Sequence, residues 1–204
     1  ALRLVDLQAL SSQQRAKAAP KLSRAITQAM QGLGMQGGKF EVQLDKLTEP
    51  SPHGVDSVQF LVAGHPGATP KPIGKVASGG ELSRLSLAIA VTTSQLGQAG
   101  TLIFDEVDSG VGGAVAETVG KLMRALGRDR QVLAVTHLPQ VAACADHHYV
   151  VAKKRDKAGT SSSVTPTDAT QREREIARML GGEKISDTTM AHAREMLLQA
   201  AHTP

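Results

Sequence analysis

Leu22, Ala25, Ile26, Ala29 and Met30 recur at helical spacing and predict an amphipathic helix that stops at Gly32 and Gly34. The chain before it, about residues 2–19, also reads as helix, polar with a thin apolar stripe. Pro20 predicts a break between the two, because proline lacks the amide hydrogen and its ring crowds the preceding turn. The period then changes from helical to alternating. Phe40, Val42 and Leu44 share one face of a predicted strand, residues 58–62 repeat the alternation, and the Pro/His/Gly turn region between them predicts an antiparallel pair. After a Pro/Gly-rich loop over 65–73, Leu82, Leu85, Ala88, Ile89 and Thr92 line one side of a helix predicted over 81–96. Beyond residue 100, strand patterns (101–105, 131–136, 148–153) alternate with helical ones (114–126, 139–145). Residues 161–165 read as a returning edge strand, and two helices near 171–180 and 188–201 flank Gly181-Gly182. Leu102-Ile103-Phe104 and Val132-Leu133-Ala134-Val135 are apolar on both faces, as expected of a mostly parallel α/β sheet covered by helices.

With 204 residues, 41% of them hydrophobic, the chain can bury a core, so disorder and fibrous repeats are excluded as readings. Aromatic residues make up only 2%, too few exposed rings for stacking single-stranded nucleic acid. The net charge of +4 permits anionic partners. Its distribution says more: Arg3, Arg15, Lys17, Lys21, Arg24 and Lys39 face Asp6 alone in the first 39 residues, whereas Asp105, Glu106 and Asp108 form an acidic knot. Cys144 is the single cysteine, which excludes an internal disulfide and suits a buried thiol in a reducing, cytoplasmic compartment. The longest uncharged run, 85–104, is interrupted by Thr92, Thr93, Ser94, Gln95 and glycines, so no membrane span is expected. The start at Ala1 is what a fragment would have.

Three constellations could carry chemistry. Thr101-Leu-Ile-Phe-Asp105-Glu106 is an apolar strand that delivers two adjacent carboxylates at its C-terminal end, the edge where parallel sheets bind ligands. In phosphoryl chemistry the first carboxylate of such a pair holds the Mg²⁺ shell and the second polarises the attacking water; a solvated acidic turn is the plainer alternative. Ser78-Gly79-Gly80-Glu81 stands directly before a helix, where free N–H groups and the helix dipole receive an anion; a glycine-rich loop with a serine cap is the alternative. His137 closes the strand after Thr136 at the same sheet edge as Asp105, able to report on a γ-phosphate or to serve as a hydrogen-bonded structural residue. A phosphate-cradling P-loop is missing, since none of the pairs Gly38-Lys39, Gly74-Lys75 and Gly120-Lys121 has the required glycine five positions earlier or the following Ser/Thr. His147-His148 beside Cys144 and Asp146 lacks zinc spacing. Lys153-Lys154-Arg155 reads as a solvated strand end or as a DNA phosphate contact.

Longer motifs narrow this. Lys75-Val-Ala-Ser-Gly-Gly-Glu-Leu-Ser-Arg84, Leu102-Ile-Phe-Asp-Glu-Val-Asp108 with Gly110-Val-Gly-Gly113, Val135-Thr-His-Leu-Pro-Gln-Val-Ala-Ala143 and Ile176-Ala-Arg-Met-Leu-Gly-Gly182 resemble the ABC-type ATPase heads of the SMC-like family over roughly residues 33–200. Glu81, where transporter ATPases carry Gln, is similar to the DNA-repair and chromosome branch. The resemblance implies a fold, the C-terminal half of such a head (33–204), preceded by the returning end of a coiled coil (1–32). It implies ATP and Mg²⁺ as cofactors, with the Walker A loop on a missing N-terminal half. Ser78, Gly79, Gly80 and Glu81 would form the signature that meets the γ-phosphate of ATP held on a second head. Asp105 would be the magnesium carboxylate, Glu106 the catalytic base, Asp108, Ser109 and Gly110 the loop at the dimer seam, and His137 the switch histidine. The expected function is ATP hydrolysis in DNA double-strand break repair and recombination, on the nucleoid, by the complete head; the chain alone, without Walker A, is expected to be inactive. Its expected partners are the N-terminal half of the head, a second head in an ATP-dependent dimer, and DNA held through phosphates. A transporter subunit, or a non-catalytic module that completes a composite site or binds DNA, are the competing readings.

Overall fold

A computed structural model describes residues 2–76, 78–94, 99–156, 159–182 and 184–202. The chain divides into two units, residues 1–98 and 99–204.

The first unit opens on α1 (Leu2–Gln31), one continuous helix with Pro20 inside it, which corrects the expected break. Pro20 and Ala16, whose carbonyl would have received the missing amide hydrogen, are both exposed, so water can satisfy that carbonyl. Packing on either side of the proline holds the helix together. Ile26 and Met30 are buried with Leu33, Phe40 and Val62, each worth about 1.5–3 kcal/mol of transfer free energy. The strands β1 (Lys39–Ser51) and β2 (Gly54–Ala63) pair antiparallel, with Phe40 opposite Val62, Val42 opposite Phe60 and Leu44 opposite Val58, as the alternation predicted. The hairpin runs well past the apolar stretch because its far end is tied electrostatically. Asp56 is buried and accepts from Lys46 Nζ at 2.7 Å, from Ser12 Oγ at 2.9 Å and from Arg15 Nη1 at 3.5 Å. The Lys46 hydrogen bond is the chief reason its carboxyl is held below the usual range, against the opposing effect of burial. α1 also closes the edge of β1: Thr27 Oγ1 accepts from the Phe40 amide at 2.9 Å, and Ser23 Oγ accepts from the Val42 amide at 3.0 Å. Inside the expected loop, β3 (Lys71–Pro72) adds to β2 and a 3-10 turn (Ile73–Lys75) leads toward α2 (Gly79–Thr92). The last two residues of the helix expected over 81–96 lie outside the described residues.

In the second unit β4 (Thr101–Phe104) and β5 (Gln131–Ala134) are parallel, joined through α3 (Gly113–Leu126). The helical cover expected on both faces is incomplete. Phe104 is buried and Leu102 and Val132 are half-buried, but on the opposite face Ile103, Leu133 and Val135 are 70%, 45% and 63% exposed. A short α4 (Pro139–Ala143) follows, then an antiparallel ribbon of β6 (Tyr149–Asp156) and β7 (Gly159–Pro166), longer than the strands expected there, and finally α5 (Ala169–Gly181) and α6 (Asp187–Ala201). Asp168 caps α5 in a reciprocal box with Gln171, and Ser186 caps α6.

Ala142, Ala143, Cys144, Ile176, Ala177, Ala193 and Ala200 form the core between α4, α5 and α6. Arg172 reaches across it to the carbonyls of Ala142 and Ala143 at 3.3 and 3.1 Å and to that of Ala145, satisfying the end of α4. Gly120 lets α3 approach α4: a Cβ there would stand 2.8 Å from Cys144 Sγ and 3.2 Å from the Gln140 carbonyl. Gly120→Ala, which in an exposed helix would add about 1 kcal/mol, is therefore expected to cost about 1–3 kcal/mol. Urea unfolding of the two proteins checks this, and an unchanged or raised midpoint would show that the helices can part without penalty.

Candidate functional site

In the first unit the sequence around Ser78 builds a helix start. Ser78 is extended (φ −98°, ψ 120°), which directs its hydroxyl back over the first turn of α2, where it accepts from the Glu81 amide at 3.3 Å. Ser78 and Gly79 are exposed and Gly80 is buried. The Ser78 hydroxyl hydrogen and Gly79 at the positive end of the helix dipole thus lie on an exposed surface suited to an anion. Glu81 is half-buried, and Arg84, one turn on, is buried. Burial pushes the Arg84 guanidinium down from its ordinary value, and the Glu81 charge opposes this. Ala77, inside the same motif, lies outside the described residues.

In the second unit the chain turns sharply where β4 ends. Glu106 has φ +56°, the one non-glycine residue in the left-handed region among the described residues, a conformation that costs about 1–2 kcal/mol. The turn separates exposed from buried side chains: Asp105 and Glu106 are exposed, whereas Val107 and Asp108 are 0% and 1% exposed. It is closed by the Ser109 amide donating to the Glu106 carbonyl at 3.0 Å and the Val111 amide donating to the Asp108 carbonyl at 3.3 Å. Ser109 and Gly110 lie exposed on it, with Gly110 at φ +72°.

Asp108 holds the neighbouring loop. Its Oδ2 accepts from the Thr136 hydroxyl, from the His137 amide at 3.0 Å and from the Leu138 amide at 3.3 Å. Thr136 in turn accepts from the Leu138 amide at 3.1 Å. His137 Nδ1 lies 3.4 Å from the same carboxylate oxygen while its ring is 71% exposed. β4 and β5 being parallel neighbours, Asp105, Glu106 and His137 all emerge at the C-terminal edge of that pair, and Asp108 and Thr136 tie the two strand ends together. Thr136 is the member of this bracing arrangement that sequence reasoning did not single out; its position before the strand-end histidine was the available signal.

This arrangement can orient water beside a carboxylate and can offer one carboxylate to a cation. Among the described residues no three His, Cys, Asp or Glu side chains cluster as a metal cage. Mg²⁺ suits such a place, because it is bound through one or two carboxylates with phosphate oxygens and water completing its shell. Around the other candidate, burial pushes the Cys144 thiol up, and burial followed by the Arg172 charge pushes the His148 imidazole down, so both favour their neutral forms. Lys153 and Lys154 are exposed on the β6–β7 ribbon. Among the described residues no helix is long and apolar enough to cross a membrane.

No protein-family model matches the chain. The chain is 47% identical over 187 residues to the DNA repair protein RecN of Vibrio cholerae, an alignment covering 91% of this chain and 34% of that protein. To RecN of Xylella fastidiosa (strain 9a5c) it is 48% identical over 185 residues, covering 90% and 33%. The chain therefore spans about a third of the length of the curated relatives it matches. In fold it is similar to the Smc head domain with a coiled coil and joint derived from Pyrococcus yayanosii, with a TM-score of 0.56 and 21% identity over 76% of this chain and 28% of that one. A solved SMC ATPase described for ATP-driven dimerization and DNA-stimulated activation superposes with a TM-score of 0.50 and 21% identity, covering 80% and 93%. The chain is thus similar over about 90% of its length to about a third of the DNA repair protein RecN, and its fold is that of the C-terminal half of an SMC-type head.

Proposed function

We propose that the chain supplies half of a composite ATPase site that works in DNA double-strand break repair and recombination, with ATP sandwiched between two heads. The observation that carries this reading is the carboxylate pair Asp105 and Glu106, exposed at the end of β4 beside the His137 loop that Asp108 holds. Asp105 is the ligand for Mg²⁺, which when bound neutralises phosphate charge. Glu106 orients the attacking water and accepts its proton, and His137 senses the γ-phosphate by donating from its Nε2–H. Ser78, Gly79 and Gly80, with Glu81 in the first turn of α2, present hydroxyl and amide donors to the γ-phosphate of ATP held on the opposite head. Ser109 and Gly110, on the turn beside Asp108, lie at the seam between heads.

The chain carries no P-loop, so the triphosphate grip belongs to an N-terminal half of the head, and the chain alone is inactive. The exposed apolar face of Ile103, Leu133 and Val135 supports such a partner, since bare β-branched and leucine side chains on a sheet are normally covered. Residues 1–32 form the returning end of a coiled coil, DNA is bound through its phosphates, and the protein works in the cytoplasm on the nucleoid.

Mixing the chain with a separately expressed N-terminal head half tests this. Turnover of ATP is expected only in the mixture. Absence of turnover with both halves folded and associated would instead make this chain a non-catalytic module.

A further inference from the structure

The β6–β7 ribbon has an uneven distribution of chemistry along its length. Tyr149, Val150, Val151 and Val164 occupy one end, whereas Lys153 and Lys154 stand toward the other, opposite Ser162 and Ser161 in the antiparallel register. Directly opposed residues share a face, so each face of the ribbon carries one lysine beside one serine hydroxyl. Every residue of β7 is exposed, including Thr160, Ser161, Ser162 and Ser163, and so are both lysines. A strand this rich in hydroxyls and exposed on both faces contributes little to a core. In sequence, Asp156 is the one acidic residue in a stretch that holds Lys153, Lys154, Arg155 and Lys157.

We infer that the polar end of this ribbon is a contact surface for double-stranded DNA, with Lys153 and Lys154 on phosphates and the β7 hydroxyls as additional phosphate donors. The inference rests on the DNA partnership proposed above and assigns it a place. Charge complementarity selects a polyanion. The shape selects a duplex: two strands about 4.8 Å apart fit a major groove about 12 Å wide. Single strands are bound on stacked rings, and Tyr149 is the ribbon's one aromatic residue, at the end away from the lysines. Contacts of this kind carry no base readout, so binding is expected to be insensitive to sequence and steeply dependent on salt.

The test is fluorescence anisotropy of a labelled random-sequence duplex, titrated with the chain and with the head assembled from both halves, over about 50–200 mM salt. Lys153→Gln/Lys154→Gln is expected to weaken binding roughly ten-fold and to reduce the slope of log Kd against log salt by about two. Lys17→Gln/Lys21→Gln, the same charge loss on α1, is expected to change affinity by less than about two-fold. Both double variants alter exposed side chains and should unfold at the wild-type temperature. Equal losses from the two pairs, or none from the ribbon pair while the wild type binds, would overturn the ribbon assignment and leave DNA as a partner. No binding of the duplex by either wild-type form would overturn the DNA partnership and the ribbon assignment together. Tighter, lysine-dependent binding of single-stranded DNA or of anionic phospholipid vesicles would overturn the duplex as the occupant.

Discussion

Glu106→Gln in the assembled head is expected to lower ATP turnover by about 10²–10⁴-fold, the range that loss of a positioned general base commands. Glutamine keeps the size of the side chain and its hydrogen-bonding reach, but it cannot accept the proton of the attacking water. The left-handed backbone at Glu106 is imposed by the turn that buries Val107 and Asp108, so the substitution should leave the fold and the nucleotide affinity intact. On the proposed function, in which the signature and the phosphates close the dimer and hydrolysis reopens it, ATP-closed dimers should then accumulate. Turnover assays together with size-exclusion light scattering in ATP check both halves of this expectation. Failure to form dimers at normal ATP affinity would show that Glu106 is not the base. Glu106→Gly is the useful control: it relieves a strained φ, should raise the stability of the second unit by about 1 kcal/mol, and should still abolish turnover. Its opposite effects on stability and activity separate the chemistry of this position from its place in the turn.

Asp108→Ala is expected to destabilise the second unit by about 3 kcal/mol and to lower its Tm by about ten degrees or more. The carboxylate is almost fully buried and accepts from the Thr136 hydroxyl and from the amides of His137 and Leu138. Alanine leaves those donors without an acceptor, and an unsatisfied donor costs more than the net worth of the bond it made. The full sum of three charged bonds is not expected, since the loop is only partly buried and water can replace some of the contact. Asp108→Asn keeps one carbonyl oxygen in place and should fall between the two. Thermal unfolding and hydrogen exchange at the His137 and Leu138 amides report the effect. A loss under about 0.5 kcal/mol with unchanged protection of those amides would show that the loop holds itself. Turnover by the assembled head should also drop in Asp108→Ala, because His137 would no longer be held beside the carboxylate pair.

Much of the architecture is legible in local pattern. The alternation of Phe40, Val42 and Leu44 against residues 58–62 sets a register in which a one-residue slip would turn every apolar side chain to the wrong face, and the pairing follows it. The switch to alternating strand and helix after residue 100 predicts the parallel pair of β4 and β5, because parallel strands require a helical crossover between them. Ser78 caps the helix that begins at Gly79, as its type and place indicate. The carboxylates at the end of β4 and the histidine beyond β5 could be named as candidates from the same strand-end logic.

Other features depend on residues far apart in the chain. Pro20 reads as a helix breaker, yet the helix continues because packing of Ile26 and Met30, and hydroxyl bonds from Ser23 and Thr27 to β1, outweigh one lost hydrogen bond on an exposed side. Ile103, Leu133 and Val135 read as buried, and they are exposed because their cover is not supplied within this unit. Gly120 looks like an ordinary helical glycine until Cys144 stands against it. By itself the sequence determined most of the elements, the Ser78 cap, the hairpin register and the chemical types that strand-end logic places at one sheet edge, since these follow largely from patterns local to each segment. Only the tertiary structure decided that Asp108 turns inward to brace the Thr136–Leu138 loop while Asp105 and Glu106 stay exposed, and that Glu106 takes a left-handed backbone. Burial and strain at a turn are set by whatever packs against it, and here that packing comes from a strand end about thirty residues away.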